Sequence, residues 1–473
     1  MNTQVPSLPK TVHFVSLGCP KNLVDSEIML GHLRKIGVEL VKTPQQAEVI
    51  IVNTCGFIDS AKRESIDTIL DVARYKQEGA CRGLLVAGCL AQRYRSDIAK
   101  ELPEVDAFFG PDECGKIGSI VQDVWAKVGG NRTYPLLPEE PFAYIAQTGR
   151  PLYLYDHETP RVALTPRHYA YVKISEGCDN PCKFCIIPRL RGRFRSRPME
   201  SIVAEIKSMV ERGVREVILI AQDLTDYGLD TYGERRLGGL LEKIQEVEGL
   251  RWIRLLYAYP AHVTEDLMDA MARLPKVCRY LDMPVQHLTD AMLLGMGRRL
   301  GKNETEDLIQ RLRQRIPGLA IRTSLIVGMP GETEEIFQEL LVGMQELRFE
   351  RLGVFTYSRE EGTAAYRMKG RVRETEKKRR RAILMARQQE ISRAINEAHV
   401  GRALEVILDG ADEKRSGVFV GRTAWDSPGI DNTVLVHADN LAAGDFVNVK
   451  ITKASSYDME GMPAESPEPA YAI

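Results

Sequence analysis

Short apolar runs recur along this chain at the interval that one helix and two turns occupy, and that repetition restricts the fold more than any other feature. From Lys10 to Val128 the runs Val12 to Leu17, Val49 to Val52 and Leu84 to Ala87 are separated by helix-length segments, the pattern of βαβ units around a parallel sheet. In one of these, Ser60 to Tyr75, the residues Ile66, Ile69, Leu70 and Ala73 return at helical spacing behind Ser60 as a cap. Between Gly129 and Pro166 the content of Pro, Gly and Tyr rises and periodicity fades, which reads as a linker.

A second series follows: Tyr169 to Ser175, Glu216 to Ala221, Trp252 to Tyr257, Tyr280 to Val285, Ala320 to Val327 and Arg351 to Tyr357. Helical stretches lie between them, one opening at Pro198, where proline suits a first turn. Six β/α repeats are too few for an eight-stranded barrel, so the expectation is an open, partial (β/α)6 barrel. Arg373 to Glu397 reads as a charged helix, and short Val-rich runs from Gly401 to Thr452 predict a small antiparallel β-barrel. The class is α/β, divided as 10–128, a linker 129–166, 167–395, 396–464 and a loose tail 465–473.

Lys plus Arg (64) nearly balances Asp plus Glu (65), so no global basic field exists to hold a polyanion. Any attraction to nucleic acid must be local. The start, MNTQVPSLPK, has no apolar stretch behind a basic end, and no later run approaches the roughly 18 apolar residues of a membrane helix. The expected location is the cytoplasm. Nine cysteines, an odd number in a chain of 473 residues, argue against a disulfide framework and for metal or redox chemistry.

Three of them form Cys178-Asp-Asn-Pro-Cys182-Lys-Phe-Cys185, directly after the first strand of the second series. Soft sulfur ligands select iron-sulfur clusters, zinc or cuprous copper. A four-iron cluster usually takes four cysteines, so three leave one iron open to an outside ligand. Structural zinc needs a fourth protein ligand, and the next histidine, His262, lies more than seventy residues on. A second set is spread through the first domain. Cys19, Cys55 and Cys89 each follow a predicted parallel strand, at intervals of 36 and 34 residues, so topology brings them to one sheet edge where ligands bind. Their bland alternative is a role as small buried hydrophobes. Cys81, Cys114 and Cys278 lack such placement and read as packing or surface residues.

The C-x-x-x-C-x-x-C loop, with Phe184 before its last cysteine, resembles the radical S-adenosylmethionine (SAM) superfamily. Along nearly its full length the chain also resembles the methylthiotransferases, through SLGCPKNLVDSE (16–27), VNTCGFIDSA (52–61), GCLAQRY (88–94), SEGCDNPCKFCIIPRLRG (175–192), QDLTDYG (222–228) and FTYSREEGT (355–363). The resemblance implies an N-terminal cluster domain, a radical SAM core and a C-terminal TRAM domain. It implies two 4Fe-4S clusters, one on Cys178, Cys182 and Cys185 and one on Cys19, Cys55 and Cys89, together with SAM. Phe184, Gln222 and Gly328 are the expected SAM contacts, the segment 326–332 forming part of that wall, and Asp223 could bond cofactor or substrate. Of the other site residues nothing is implied. The family's chemistry replaces a carbon-bound hydrogen with a methylthio group, a second SAM supplying the methyl, and it needs an electron donor.

Two substrate classes compete, adenosine in transfer RNA and an aspartate of small-subunit ribosomal protein number twelve, possibly within the ribosomal subunit. The Pro-Lys-Asn-Leu-Val-Asp-Ser-Glu after Cys19 and the Asp-Asn-Pro after Cys178 resemble the ribosomal-protein branch; the transfer-RNA branch is expected to carry Gln-Met-Asn after the first cysteine. From Asn396 to Ala464 eleven acidic and six basic residues give a net charge of −5, better suited to a basic protein than to phosphate, so nucleic acid is not the expected primary target. Against this stand Arg189, Arg191, Arg193, Arg195 and Arg197, which extended alternation would place on one side of the chain to grip phosphate or carboxylate. Lys377 to Arg381 reads mainly as a solvated helix face, and Gly328-Met-Pro-Gly331 lacks the lysine of a nucleotide loop. A non-enzymatic zinc and RNA-binding scaffold on the C-terminal barrel is the remaining alternative.

Overall fold

The computed structural model describes residues 8–128, 142–143 and 152–464. Most of the expected linker (129–141 and 144–151) and the tail 465–473 lie outside the described residues. The first sheet holds β1 (Thr11–Ser16), β2 (Glu39–Leu40), β3 (Val49–Thr54), β4 (Gly83–Gly88), β5 (Ala107–Phe109) and β6 (Phe142–Ala143), in the order β2-β1-β3-β4-β5-β6. Its ladders are parallel, and every residue of β3 and β4 is buried because helices cover both faces. The helix Asp59–Ala73 departs from expectation at its start. Ile58 holds the cap position without a side-chain bond, Ser60 lies inside the first turn, and Leu70 faces solvent while Ser65, Ile69 and Val72 face the core.

The second sheet contains β7 (Tyr169–Lys173), then, after the short β8 (Ser175–Glu176) and β9 (Arg195–Ser196), β10 (Glu216–Ile220), β11 (Trp252–Leu255), β12 (Val277–Asp282), β13 (Ala320–Val327) and β14 (Arg351–Thr356). The order β14-β13-β12-β11-β10-β7 is that of an open six-stranded parallel barrel. β12 begins three residues before the expected Tyr280 and stops at Asp282, ahead of Pro284, which has no N–H for the ladder. The outer face, including Val217, Leu219, Ile253 and Ile321, is covered by the flanking helices. An open sheet leaves its inner face bare. Here Tyr171, Ile218, Ile220, Trp252 and Tyr280 are covered by Val24 and Ile28 of the helix Pro20–Lys35 from one side and by Ile407 of the third domain from the other. The three domains therefore share a core.

The third domain is a closed barrel of β15 (Ala403–Ala411), β16 (Val418–Thr423), β17 (Thr433–His437), β18 (Phe446–Ala454) and β19 (Asp458–Pro463). It is antiparallel except at the β17–β19 ladder, which is parallel. Its acidity has a different reading from the one charge counting suggested. Asp426 pairs with Arg351 at 2.7 Å, Asp431 accepts from Tyr280 at 2.7 Å and from Arg322 at 3.2 Å, and Glu405 pairs with Arg251 at 2.6 Å. Asp409 binds Arg422 and His168. Four of the eleven carboxylates thus reach the second domain, three of them docking the barrel on its arginines, and the net −5 does not describe a face turned to a basic partner. The cysteines without strand-end placement, Cys81, Cys114 and Cys278, pack in three different cores.

At the same seam Glu216, fully buried, receives Arg254 at 2.6 Å and Arg422 of the barrel at 2.8 Å. The two guanidiniums outweigh the cost of burial and hold its carboxyl below the usual range. Glu216→Gln leaves Arg254 buried without its anion and Arg422 with Asp409 alone, and breaking such a buried pair costs about 3–5 kcal/mol. Urea unfolding should register that loss; a change below about 1 kcal/mol would contradict the docking role.

Candidate functional site: two sets of three thiols

The loop 177–194 that carries Cys178, Cys182 and Cys185 is clamped at its base by the β8–β9 ladder, Ser175 opposite Ser196 and Glu176 opposite Arg195. Polar hydrogens already face the sulfurs. The Asn180 backbone and side-chain N–H groups lie 3.5 Å from Cys178 Sγ, the Ile187 N–H donates to Cys185 Sγ at 3.4 Å, and Arg298 Nη1 lies 3.5 Å from Cys182 Sγ. Burial pushes the Cys178 and Cys185 thiols up to about 12. A bound metal cation would take the place of that proton.

In the first domain Cys19 caps the helix Pro20–Lys35, Cys55 follows β3, and Cys89 opens the helix Cys89–Glu101 at the end of β4. All three stand at the carboxyl edge of the sheet. Two glycines let the loops approach. Gly18 has φ +87° and a Cβ there would fall 2.8 Å from Cys55 Cβ; Gly88 has φ +94° and a Cβ would fall 2.4 Å from Asn53 Oδ1. Burial, then the charge of Cys89 and Cys19, pushes the Cys55 thiol up to about 12, and burial also raises Cys89 despite the nearby Arg191.

The donor spacing separates two metal chemistries. Among the described residues, the group whose ligand atoms all lie within 4.8 Å of one another is Asp223, Asp226 and His262, and neither thiol set forms such a group. Zinc with Zn–S bonds of about 2.3 Å draws its sulfurs to within about 4 Å. A cluster in which each thiolate takes a different iron holds them farther apart.

Between the two sets runs a buried ionic web. Asp25 receives Lys173 at 2.6 Å and Arg191 at 2.5 Å, Lys173 also pairs with Glu176 at 2.5 Å, and Arg191 reaches Asn22 Oδ1 at 3.2 Å. Burial works against charge on Glu176, but Lys173 and Arg191 win and keep its carboxyl ionised. Cys89 packs on Ile186 and Leu190, immediately beyond Cys185. Farther out, Glu360 receives Lys62 at 2.9 Å and Arg93 at 2.7 Å from the first domain.

This web corrects the expectation of five arginines on one side of the chain. The segment turns helical at Ile187–Leu190, Arg191 is buried against Asp25, Arg197 is buried against Glu205 at 2.6 Å, and Arg195 donates to the Arg193 carbonyl at 2.6 Å. Arg189 and Arg193 alone line an open cavity of about 740 Å³, with Arg93, Cys178 and Asn180. The basic run 377–381 also differs from a solvated face, since Lys377 and Arg380 are buried, Arg380 pairing with Glu332 at 2.8 Å.

Phe184 packs with Met292, Met296 and Met329. Gln222, past the end of β10, donates to Glu176 Oε1 at 2.5 Å and keeps a buried Oε1 without a partner. Gly328, at φ +79°, donates its N–H to Glu332 Oε2 at 2.6 Å; a Cβ there would fall 2.2 Å from Lys377 Cγ, so the position abuts the lysine stem. Asp223 accepts from Asn180 Nδ2 at 2.6 Å and faces His262 Nδ1 at 2.8 Å. Burial opposes charge on His262, yet Asp223 and Asp226 outweigh it and raise its pKa. Tyr259 stacks on His262 at 4.7 Å, with Arg298 over its other neighbourhood at 4.1 Å from the ring centre. Sequence reading assigned no role to Asn180, Asp226, Tyr259, His262 and Arg298. Tyr259 and His262 follow the Trp252 run, so the strand-end rule could have found them; Arg298 follows no strand and gives no such signal.

Three-thiol loop, six parallel strands and carboxyl-edge site together define the radical SAM class. Residues 172–342 match the Radical SAM superfamily, 11–110 match Uncharacterized protein family UPF0004, and 400–463 match the TRAM domain. Among solved structures, the radical S-adenosylmethionine methyltransferase TsrM from Kitasatospora setae, with tryptophan substrate and a SAM analogue bound, aligns at TM-score 0.52 and 16% identity over 73% of each chain, a likeness of fold. Among curated proteins, ribosomal protein uS12 methylthiotransferase RimO of Heliobacterium modesticaldum is 51% identical over 97% of this chain and 96% of its own length. RimO of Desulforamulus reducens is 48% identical over 95% and 99%. The chain belongs to the RimO family of radical SAM methylthiotransferases. Among the described residues no helix is long and apolar enough to cross a membrane.

Proposed function

We propose that this chain adds a methylthio group to the β-carbon of an aspartate in ribosomal protein uS12, in the cytoplasm. The observation that carries the proposal is the pairing of two three-thiol sets, each at a sheet's carboxyl edge, across one buried web centred on Asp25 and Arg191. The donor sets fit clusters: thiols too spread for one ion, facing N–H groups, with protonated forms strongly favoured until a cation replaces the proton. Cys178, Cys182 and Cys185 would hold one 4Fe-4S cluster and Cys19, Cys55 and Cys89 another, each with one iron free of protein sulfur. With SAM and an external electron donor, these groups supply the one-electron chemistry that breaks a C–H bond too weakly acidic for any base.

The protein's own part is to hold, orient and dry the site. Asn180, Ile187 and Arg298 aim N–H groups at the sulfurs and offset their negative charge. Ile186 and Leu190 seal Cys89 from water. Gln222 Oε1 and Asn180 Oδ1, both buried and unpartnered, offer acceptors to a hydroxyl or ammonium of SAM. The test is to incubate anaerobic, reduced full-length chain with SAM and either uS12 or transfer RNA, and to weigh the products. A methylthio mass gain on uS12 is expected. SAM consumed with gain on transfer RNA alone would overturn the substrate.

A further inference from the structure

Lys21 is buried, with 8% of its surface exposed, two residues beyond Cys19 in the first turn of Pro20–Lys35. Its ammonium makes no ion pair or hydrogen bond among the described residues; it rests 3.0 Å from the centre of the Tyr257 ring. Neighbouring carboxylates are already taken. Asp282 holds Arg322 at 2.8 Å, Asp25 holds Lys173 and Arg191, and Glu176 holds Lys173 and Gln222. The first turn of the helix contains no acidic residue, and its unpaired N–H groups add positive potential instead of offsetting it.

The ring under the ammonium is held in place by a strained backbone. Tyr257 has φ 69°, a left-handed conformation disfavoured for a side chain of this size, and its N–H donates to Asp282 Oδ2 at 3.0 Å. A ring face compensates a buried cation only in part, and an isolated buried charge is disfavoured strongly enough that buried cations are found with anions. Lys173, Arg191 and Arg197, all buried, each have a carboxylate. Lys21 is buried like them and pairs with no carboxylate among the described residues.

We propose that Lys21 receives a carboxylate of the reaction complex, and that this is the side-chain carboxylate of the aspartate being modified. The assignment rests on the uS12 reading above. In aspartate the carboxylate carbon is bonded directly to the β-carbon, so an ammonium that fixes the carboxylate fixes the direction of the β C–H bonds. Lys21 lies on the Cys19 side of the web, whereas the Arg298 and Asn180 contacts surround the other thiols. Lys21 is therefore a positioning and specificity residue. The other source of a carboxylate in the complex is SAM itself.

The test uses the anaerobically reconstituted full chain with Lys21→Met and Lys21→Arg, iron content serving as the folding control. Losing a charge-assisted bond should weaken uS12 binding by about tenfold or more in Lys21→Met, and erase the preference for uS12 over its Asp→Asn form at the modified position. In Lys21→Arg the charge remains but the head group is longer and planar, so kcat should fall about tenfold while uS12 affinity stays within a few-fold. Unchanged affinity and preference in Lys21→Met would overturn the assignment, as would wild-type kcat in Lys21→Arg if the Met variant loses its iron. A tenfold loss of SAM affinity with uS12 affinity intact would move Lys21 to the SAM carboxylate and overturn it equally. A wild-type chain that never modifies uS12 removes the functional reading first, and this assignment with it.

Discussion

Cys182→Ala is expected to lower reductive SAM cleavage by more than about 100-fold and to remove about half the bound iron. The reasoning is local. Cys182 is one of three thiols on a loop pinned by the β8–β9 ladder, so its loss leaves two sulfurs for the proposed cluster and takes the sulfur from in front of Arg298 Nη1. Losing a partner of a metal ligand typically costs 10–100-fold, and losing the ligand itself should cost more. The rest of the domain should be indifferent, because Cys182 is only partly buried and packs in none of the hydrophobic cores. Deoxyadenosine release measured by chromatography decides the matter. Cleavage retained within tenfold of wild type would assign the SAM-facing role to other residues.

Cys55→Ala should separate the two halves of the reaction. SAM cleavage persists, while methylthiolated product falls by more than about 100-fold. Cys55 sits on the first domain: its N–H is received by Ser65 Oγ at 3.1 Å, and the charges that bear on its thiol are those of Cys89 and Cys19, then that of Arg191 from the second domain. Contact with the other thiol set runs instead through Cys89, Ile186 and Leu190. Counting deoxyadenosine against methylthiolated uS12 in one reaction gives both numbers. Product formed at wild-type yield would make the first-domain thiols structural.

The placement of these thiols was legible in the sequence because each set follows the end of a parallel strand, and short apolar runs reveal strand ends well. The same rule placed Gln222 and Asp223 beside the thiols, 46 and 43 residues from the groups they contact. Charge was harder to read. Arg191 and Asp25 are 166 residues apart and meet only because the helix Pro20–Lys35 covers the open face of the second sheet. Alternating arginines and an acidic barrel looked outward-facing in one dimension; in three, Arg191, Asp426 and Asp431 are paired across domain boundaries and Arg197 is paired with Glu205 of its own domain. Composition gives the sign of a surface only after internal pairs are subtracted. Ser60 failed as a cap for a smaller reason, since the backbone turned helical one residue earlier, at Asp59.

The claim beneath all of this is that six cysteines of one chain, three per site, bind two clusters that each keep an iron unligated by protein. Iron and acid-labile sulfide, measured per chain on oxygen-free wild-type protein, test it most directly. The account predicts about eight of each. About four irons would remove one site, and zinc without sulfide would contradict the account altogether.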